Sequence, residues 1–516
     1  MSQRPSYYVT TPIYYVNDVP HIGHAYTTLA CDVLARFKRL DGYDVMFLTG
    51  TDEHGQKVEK SAEKAGIDPL AFCDKVSARF QDLAQAMNFS NDQFIRTTEE
   101  RHKVAVQHLW KRLVDKGYIY EDKYAGWYSV RDEAFYTEGE LTDGEGGEKL
   151  APTGAPVEWV EEPSYFFKLS AMQDKLLELY ESQPDFVMPK SRLNEVKSFV
   201  EGGLQDLSIS RTTFSWGVPV PEAEGHIMYV WIDALTNYLT ATGYPNEDAE
   251  GYQKYWPANV HMVGKDILRF HAVYWPAFLL AADLPLPGRV FAHGWWTNEG
   301  QKISKSLGNV IDPFELIESY GLDAVRFFLL REVPFGNDGD FSRKNFVLRC
   351  NADLANGLGN LSQRTLSMIH KNCDGAVPEH GDLTNNDSKL LHDIEAALEQ
   401  VRAHMDKQAF HHAFEAIFSQ AAAADAYISE QAPWVLRKTD PERMKTVLFV
   451  LAEAIRMLAI LVQPIMPQSA AKILDQLGVA KRGFDQLSSE HRIAVGSMVP
   501  KPEGVFPRLE LPAEDA

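Results

Sequence analysis

Two histidines stand around an isoleucine and a glycine in "PHIGHAY", at the head of a stretch that reads as a helix. At i and i+3, His21 and His24 share one helix face. Gly23 between them leaves room for a flat ligand to approach the backbone, and the amides of a helix start favour an anion. Three readings are open to such a pair: a metal site, an incidental helix start, or a hold on phosphate. A metal needs further His, Cys or carboxylate ligands in an appropriate geometry, and the neighbouring sequence shows no such set. A second reactive stretch, "QKISKSLGN", sets Lys302 and Lys305 three apart with Ser304, Ser306 and Gly308. It lacks the spacing of a P-loop. A cationic loop of this kind can still clamp a polyphosphate and stabilise charge on a departing pyrophosphate. Alone, it reads equally well as a solvated basic loop.

The elements around these residues follow from hydrophobic patterning. "YYVTTPIYYV" (7–16) is β-branched and aromatic and reads as a buried strand. Leu29, Val33, Leu34 and Phe37 recur at helical spacing after the Pro20–Gly23 turn, and Gly42 ends that helix. "DVMFLTGTDEHG" is a second strand running into a polar loop. Strand, helix and strand make a βαβ unit, the opening of a doubly wound parallel sheet whose ligands sit beyond the carboxyl ends of the strands. From about Tyr118 to Gly225 the pattern changes to short strands and Gly/Pro turns with two helices, and reads as an insertion. The βα pattern then returns, and from about Phe346 one helix follows another, as in a bundle. The predicted segments are residues 1–117, the insertion 118–225, 226–325, a linker 326–345, and the helical 346–516.

Composition bounds the function classes. The 516 residues are 45 % hydrophobic and 24 % charged, ordinary for a soluble globular chain and too long for one core. No apolar run reaches the ~18 residues of a membrane span, and the start shows no leader, so a cytoplasmic protein is expected. Four cysteines stand far apart without a CxxC, which speaks against a disulfide framework and a thiolate zinc site. The net charge of −21 lowers the expectation of a nucleic-acid partner without removing it, because binding uses local fields.

Taken together, "PHIGH" at the end of the first strand and "KISKS" in the second sheet half resemble the two signatures of class I aminoacyl-tRNA synthetases, with Ile303 in the place of a methionine. "TTPIYYVNDVPHIGHAY", "FLTGTDEHGQK", "SISR", "YVWIDALTNY", "GKDILRFHAVYWPAFL" and "APWVLRK" resemble, in order, the methionyl-tRNA synthetase family. The resemblance implies a Rossmann-type parallel sheet split by the insertion, followed by an all-α anticodon-binding bundle. It implies activation of L-methionine with ATP and Mg²⁺, then transfer to tRNA(Met), elongator and initiator. Carried over, His21 and His24 contact phosphates and Gly23 lies against adenine. Gly264 and Asp266 hold ribose, and His293, Gly294 and Ile303 lie near the nucleotide. Lys302 and Lys305 stabilise the transition state and pyrophosphate.

The methionine pocket by the same resemblance comprises Pro12, Ile13, Tyr15, Asp52, Trp231, Ala234, Leu235, Tyr238, Ile267, His271 and Trp275. Asp52 pairs the α-ammonium, the aromatic rings enclose the polarizable thioether, and Tyr15 and His271 are hydrogen-bond partners for sulfur. Asp233 is carried as a residue that rejects homocysteine. Asn360, Arg364 and Trp434 read the anticodon by base-edge hydrogen bonds and stacking. Many relatives have a zinc knuckle in the insertion. Here its frame holds Ser129, Asp132, Ala151 and Gly154, so no structural zinc is expected, with Trp127, Tyr128, Phe135 and Tyr136 packing the hairpin instead. A monomer is expected, because the sequence offers no further C-terminal dimerising domain. The rival reading is a catalytically inactive, RNA-binding relative. Intact His21, His24, Lys302 and Lys305 argue against it.

Overall fold

The computed structural model describes residues 4–17, 19–132, 134–144, 147–303 and 308–511. Its central sheet has seven strands. Val187–Met188, Val290–His293, Val260–Gly264, Ser6–Thr10 and Asp44–Asp52 lie side by side, and Tyr14–Tyr15 and Gln93–Arg96 both pair with Asp44–Asp52. Every pairing is parallel. A parallel strand is covered on both faces and must be apolar on both. Ser6–Thr10 meets this with Tyr8 and Val9 wholly buried.

The strand Ser6–Thr10 pairs with Asp44–Asp52 on one side and Val260–Gly264 on the other. The winding of the sheet reverses between these neighbours, and a crevice opens there beyond the strand ends. The chain turns from the first strand into the helix Ile22–Leu40 across this crevice, which puts "PHIGH" at its mouth.

The insertion is built on a long antiparallel ribbon. Ile119–Ser129 pairs with Glu158–Phe167 from Ile119 opposite Phe167 to Tyr128 opposite Glu158. The stretch 118–225 also does something its composition hid. Val187–Met188 returns to the catalytic sheet and forms its edge against Val290–His293. Two residues carry no periodicity, so pattern reading could not find this strand. A separate three-stranded sheet of Gln301–Lys302, Trp296–Asn298 and Gly339–Phe341 carries the start of the "KISKS" stretch.

The C-terminal part is helical: Asn360–Asn372, Asn385–Met405, Phe410–Gln431, Pro433–Thr439, Pro441–Val462 and Pro467–Gln476. It does not hang free of the sheet. One apolar core runs from the helix Ile22–Leu40 through Leu322–Arg331 into the bundle. At its centre the buried Arg326 donates to Asp32 Oδ2 at 2.7 Å, to the Met87 carbonyl at 3.0 Å and to the Ile465 carbonyl at 2.8 Å. Near the far end of the same helix, Lys38 pairs with Asp406 and Asp41 with Arg402. The helix that begins at His21 is therefore fixed to the bundle at three points.

Candidate active site

His21 is the N-cap of the helix Ile22–Leu40, and the two histidines cap it reciprocally. The Gly23 amide donates to His21 Nδ1 at 3.1 Å, and the His21 amide donates to His24 Nδ1 at 3.1 Å. This is a capping box made from imidazoles. Burial pushes both pKa values down, that of His24 well below the ordinary value with His21 adding to the effect, so both rings are neutral. A neutral imidazole whose Nδ1 accepts carries its proton on Nε2. Among the described residues neither Nε2 has a hydrogen-bond partner. The helix start thus presents two N–H donors beside its own positive dipole end. Gly23 has a second reason to be glycine: a Cβ there would fall 2.9 Å from His21 Cε1 and displace the capping ring. Behind His24, Tyr14 and Phe80 pack edge-on, at 4.8 and 5.1 Å between ring centroids.

His21, His24 and Tyr14 line a cavity of about 420 Å³ at the crevice. Of the residues predicted from sequence, Pro12, Ile13, Tyr15, His21, Gly23, His24, Asp52, Trp231, Ala234, Leu235 and Tyr238 line it. So do Gly264, Asp266, Ile267, His271 and His293. The sheet explains the convergence: Asp52, Gly264 and His293 end parallel strands, and Trp231, Ala234 and Leu235 lie on the short helix Val230–Leu235.

Other predicted residues stand elsewhere. Trp275 is fully buried behind the cavity and donates from Nε1 to His261 Nε2 at 3.3 Å, so it supports Tyr238 rather than lining the slot. Asp233 points away from the cavity, between His54 and His102. Gly294 is glycine for a backbone reason, since a Cβ would fall 2.3 Å from the Asn337 carbonyl group. Ile303 is half-buried against the main core, and Lys302 is exposed on its short strand. Lys305, with Ser304 and Ser306, lies outside the described residues.

His271 corrects an expectation. Its Nδ1–H donates to the Ile267 carbonyl at 3.0 Å, and burial lowers its pKa to about 4, so the ring is neutral. Nε2 is then an acceptor, filled by the Tyr238 hydroxyl at 2.7 Å. Neither group has a proton left for a sulfur. His293 is similarly committed: its Nδ1–H donates to the Gly294 carbonyl at 2.8 Å and Nε2 accepts from Thr27 Oγ1 at 2.7 Å. Sequence reasoning also missed Tyr14, Thr27, Lys57, Arg131, Asp132, Asn237 and Trp295 in the lining. The Trp295 indole, half-exposed, donates to Asp266 Oδ1 at 3.1 Å, next to Gly264. An unpatterned tryptophan gave no signal.

A family model described as "tRNA synthetases class I (M)" matches residues 7–366, and one for the "Anticodon binding domain of methionyl tRNA ligase" matches 377–514. The methionine–tRNA ligase of Mesorhizobium japonicum is 59 % identical over 99 % of this chain and all of its own length. This chain belongs to the methionyl-tRNA synthetases. The ligase of Rickettsia bellii is 58 % identical over 98 % of this chain and 99 % of its own. The structure of the Mycobacterium tuberculosis methionyl-tRNA synthetase in complex with methionyl-adenylate superposes with a TM-score of 0.95 at 54 % identity, covering 98 % of this chain and all of that one.

As a methionyl-tRNA synthetase, the chain lacks the donors for a zinc knuckle. Ala151 and Gly154 have no ligating side chain. Asp132 instead accepts from the Thr153 hydroxyl, from the Tyr136 hydroxyl at 3.1 Å and from Arg131 Nε at 3.2 Å. One carboxylate thereby ties the two turns a metal would have joined, and the residues present do not fit zinc. Among the described residues no group of three or more His, Cys, Asp or Glu could hold a metal ion. Trp127 packs edge-on against Trp159 at 5.4 Å and Tyr128 is buried, while the Phe135 side chain lies outside what is described.

On the bundle, Asn360 opens the helix Asn360–Asn372 and is exposed. One turn on, Arg364 lies 5.1 Å from the centroid of the Trp434 ring and pairs with Asp425 at 3.4 Å. Trp434 is 43 % exposed, unusual for so large an apolar ring. The structure brings Arg364 and Trp434 together. Among the described residues no helix is long and apolar enough to cross a membrane.

Proposed function

We propose that this synthetase joins L-methionine to tRNA(Met), elongator and initiator, in two steps within the one cavity. The methionine carboxylate attacks the α-phosphorus of Mg²⁺-bound ATP, and pyrophosphate leaves. A hydroxyl of the terminal tRNA ribose then attacks the adenylate carbonyl, and AMP leaves. The observation that carries this reading is the meeting, in 420 Å³, of an anion-binding half and an apolar, amine-binding half. His21 and His24 bring two Nε2–H donors to the phosphates. Gly264 and Asp266 take the ribose, and the Trp295 ring offers a face for the purine. Across the cavity Asp52 takes the α-ammonium, and Ile13, Tyr15, Trp231, Leu235 and Tyr238 enclose the thioether. Because the nucleophile belongs to the substrate, the protein's work is placement and charge stabilisation. Lys302 and Lys305 supply positive charge to the leaving pyrophosphate.

The cavity shares Lys57 and Arg131 with a neighbouring groove that also carries Lys60 and Lys64. In a chain of net charge −21 this local concentration of cations suits a phosphate backbone, and we route the single-stranded 3′ end of the tRNA along it. At the other end of the molecule, Asn360, Arg364 and Trp434 read the anticodon. Trp434→Ala is expected to reduce tRNA charging about tenfold, the worth of one base stacked on an aromatic ring, and to leave methionine-dependent pyrophosphate exchange unchanged. Equal losses in both assays would contradict an anticodon role. The same reading has the protein free of structural zinc, and metal analysis finding stoichiometric zinc would overturn that. We take the enzyme as a cytoplasmic monomer. Its four cysteines are free thiols, as suits a reducing compartment. An inactive RNA-binding role is the poorer reading, because the helix start keeps both imidazole donors turned to account at the cavity.

A further inference from the structure

Asp233 is completely buried, yet it does not line the cavity. Its Oδ2 accepts from His54 Nδ1 at 2.7 Å and its Oδ1 from His102 Nε2 at 2.9 Å. The two imidazoles come from opposite directions. His54 follows Asp52 by two residues in the loop after the strand Asp44–Asp52. His102 lies in the helix Glu100–Asp115, and its other nitrogen meets Thr240 Oγ1 at 3.0 Å. Burial acts to raise the Asp233 pKa, but the two histidines outweigh it and hold the group ionised. An ionised carboxylate only accepts, so both rings donate to it.

The helix that carries Asp233 is six residues long, Val230–Leu235, with no side-chain cap. A helix this short has no stable orientation of its own. Four of its other residues, Val230, Trp231, Ala234 and Leu235, line the cavity. One carboxylate therefore ties the wall holding Trp231, Ala234 and Leu235 to the wall holding Asp52. We propose that Asp233 is a positioning residue, which through His54 and His102 sets the width of the amino-acid side of the cavity and so its preference for a thioether chain over an all-carbon one. This rests on the reading of that cavity as the methionine site.

Asp233→Asn keeps the shape and removes the charge that two donors share. In pyrophosphate exchange, the KM for methionine is expected to rise about tenfold with the KM for ATP within about twofold, since small misplacements of a binding wall have effects of this size. The preference for methionine over norleucine is expected to fall several-fold. His102→Gln, which leaves the His54 contact in place, is expected to shift the same two quantities in the same direction by less, and serves if Asp233→Asn does not fold. Parallel rises in both KM values with an unchanged preference would overturn the proposal, as would no change in either variant. Wild-type enzyme supplies the control: absent methionine-dependent exchange would overturn the functional reading and this proposal with it, whereas normal wild-type exchange beside unaltered variants would overturn this proposal alone.

Discussion

Replacing His21 with asparagine is expected to slow adenylate formation by about 10²–10³-fold while leaving the fold intact, the size found when a preorganised donor to developing charge is removed. The two effects separate because His21 has two functions on two nitrogens. Its Nδ1 caps the helix by accepting from the Gly23 amide, and in the proposed mechanism its Nε2–H is offered to phosphate. Asparagine is among the best N-cap residues, so the capping function survives and the thermal midpoint is expected to stay near that of wild type. His21→Ala removes both functions and is expected to cost about 1 kcal/mol of stability in addition. The measurements are single-turnover adenylate formation and a thermal melt on each variant. Adenylate formation at wild-type rate in His21→Asn would show that the imidazole serves only the helix.

Replacing Asp52 with asparagine is expected to lower kcat/KM for methionine by roughly a hundredfold and to leave the KM for ATP nearly unchanged. Asp52 ends the strand Asp44–Asp52, is buried, and lines the cavity beside Tyr15. A hydrogen bond to a charged partner contributes about 1.5–3 kcal/mol, and a desolvated charge left facing a neutral group costs more than a solvated one. Asparagine preserves the shape, so the change isolates the charge that would meet an α-ammonium. Equal losses toward methionine and ATP would assign Asp52 to the architecture of the crevice instead of to the amino acid.

The order of elements and most of the cavity were legible in the sequence for a definite reason. Parallel strands end on one edge, which brings "PHIGH" and "GTDEHG" together in a doubly wound sheet, while "GKD", "AHG" and the rest of the lining were named through the resemblance to methionyl-tRNA synthetases. What a linear reading cannot resolve is the difference between lining and supporting. Trp275 and Tyr238 are both aromatic residues of the same region, yet one is seated behind the other, with its indole N–H spent on His261. Asp233 and Asp52 are both carboxylates near the pocket. Only the positions of His54 and His102 decide that one is withdrawn. His271 was chemically suited to donate to sulfur, but its Nδ1–H donates instead to a backbone carbonyl one turn earlier. The edge strand Val187–Met188 and the half-exposed Trp295 escaped notice because each depends on a partner distant in sequence, Val290–Phe291 for the strand and Asp266 for the tryptophan. The reciprocal capping of His21 and His24 was half visible: the spacing showed a shared face, and the structure adds that the same geometry fixes the tautomer of both rings.

The central claim is that one cavity holds methionine and ATP together and lets the first attack the second. Methionine-dependent exchange of labelled pyrophosphate into ATP, in the absence of tRNA, measures that step alone. The account predicts exchange that saturates with L-methionine, is far weaker with isoleucine, valine or leucine, and falls about 10²–10³-fold in His21→Asn. No exchange with any amino acid, or exchange driven equally by leucine, would contradict it.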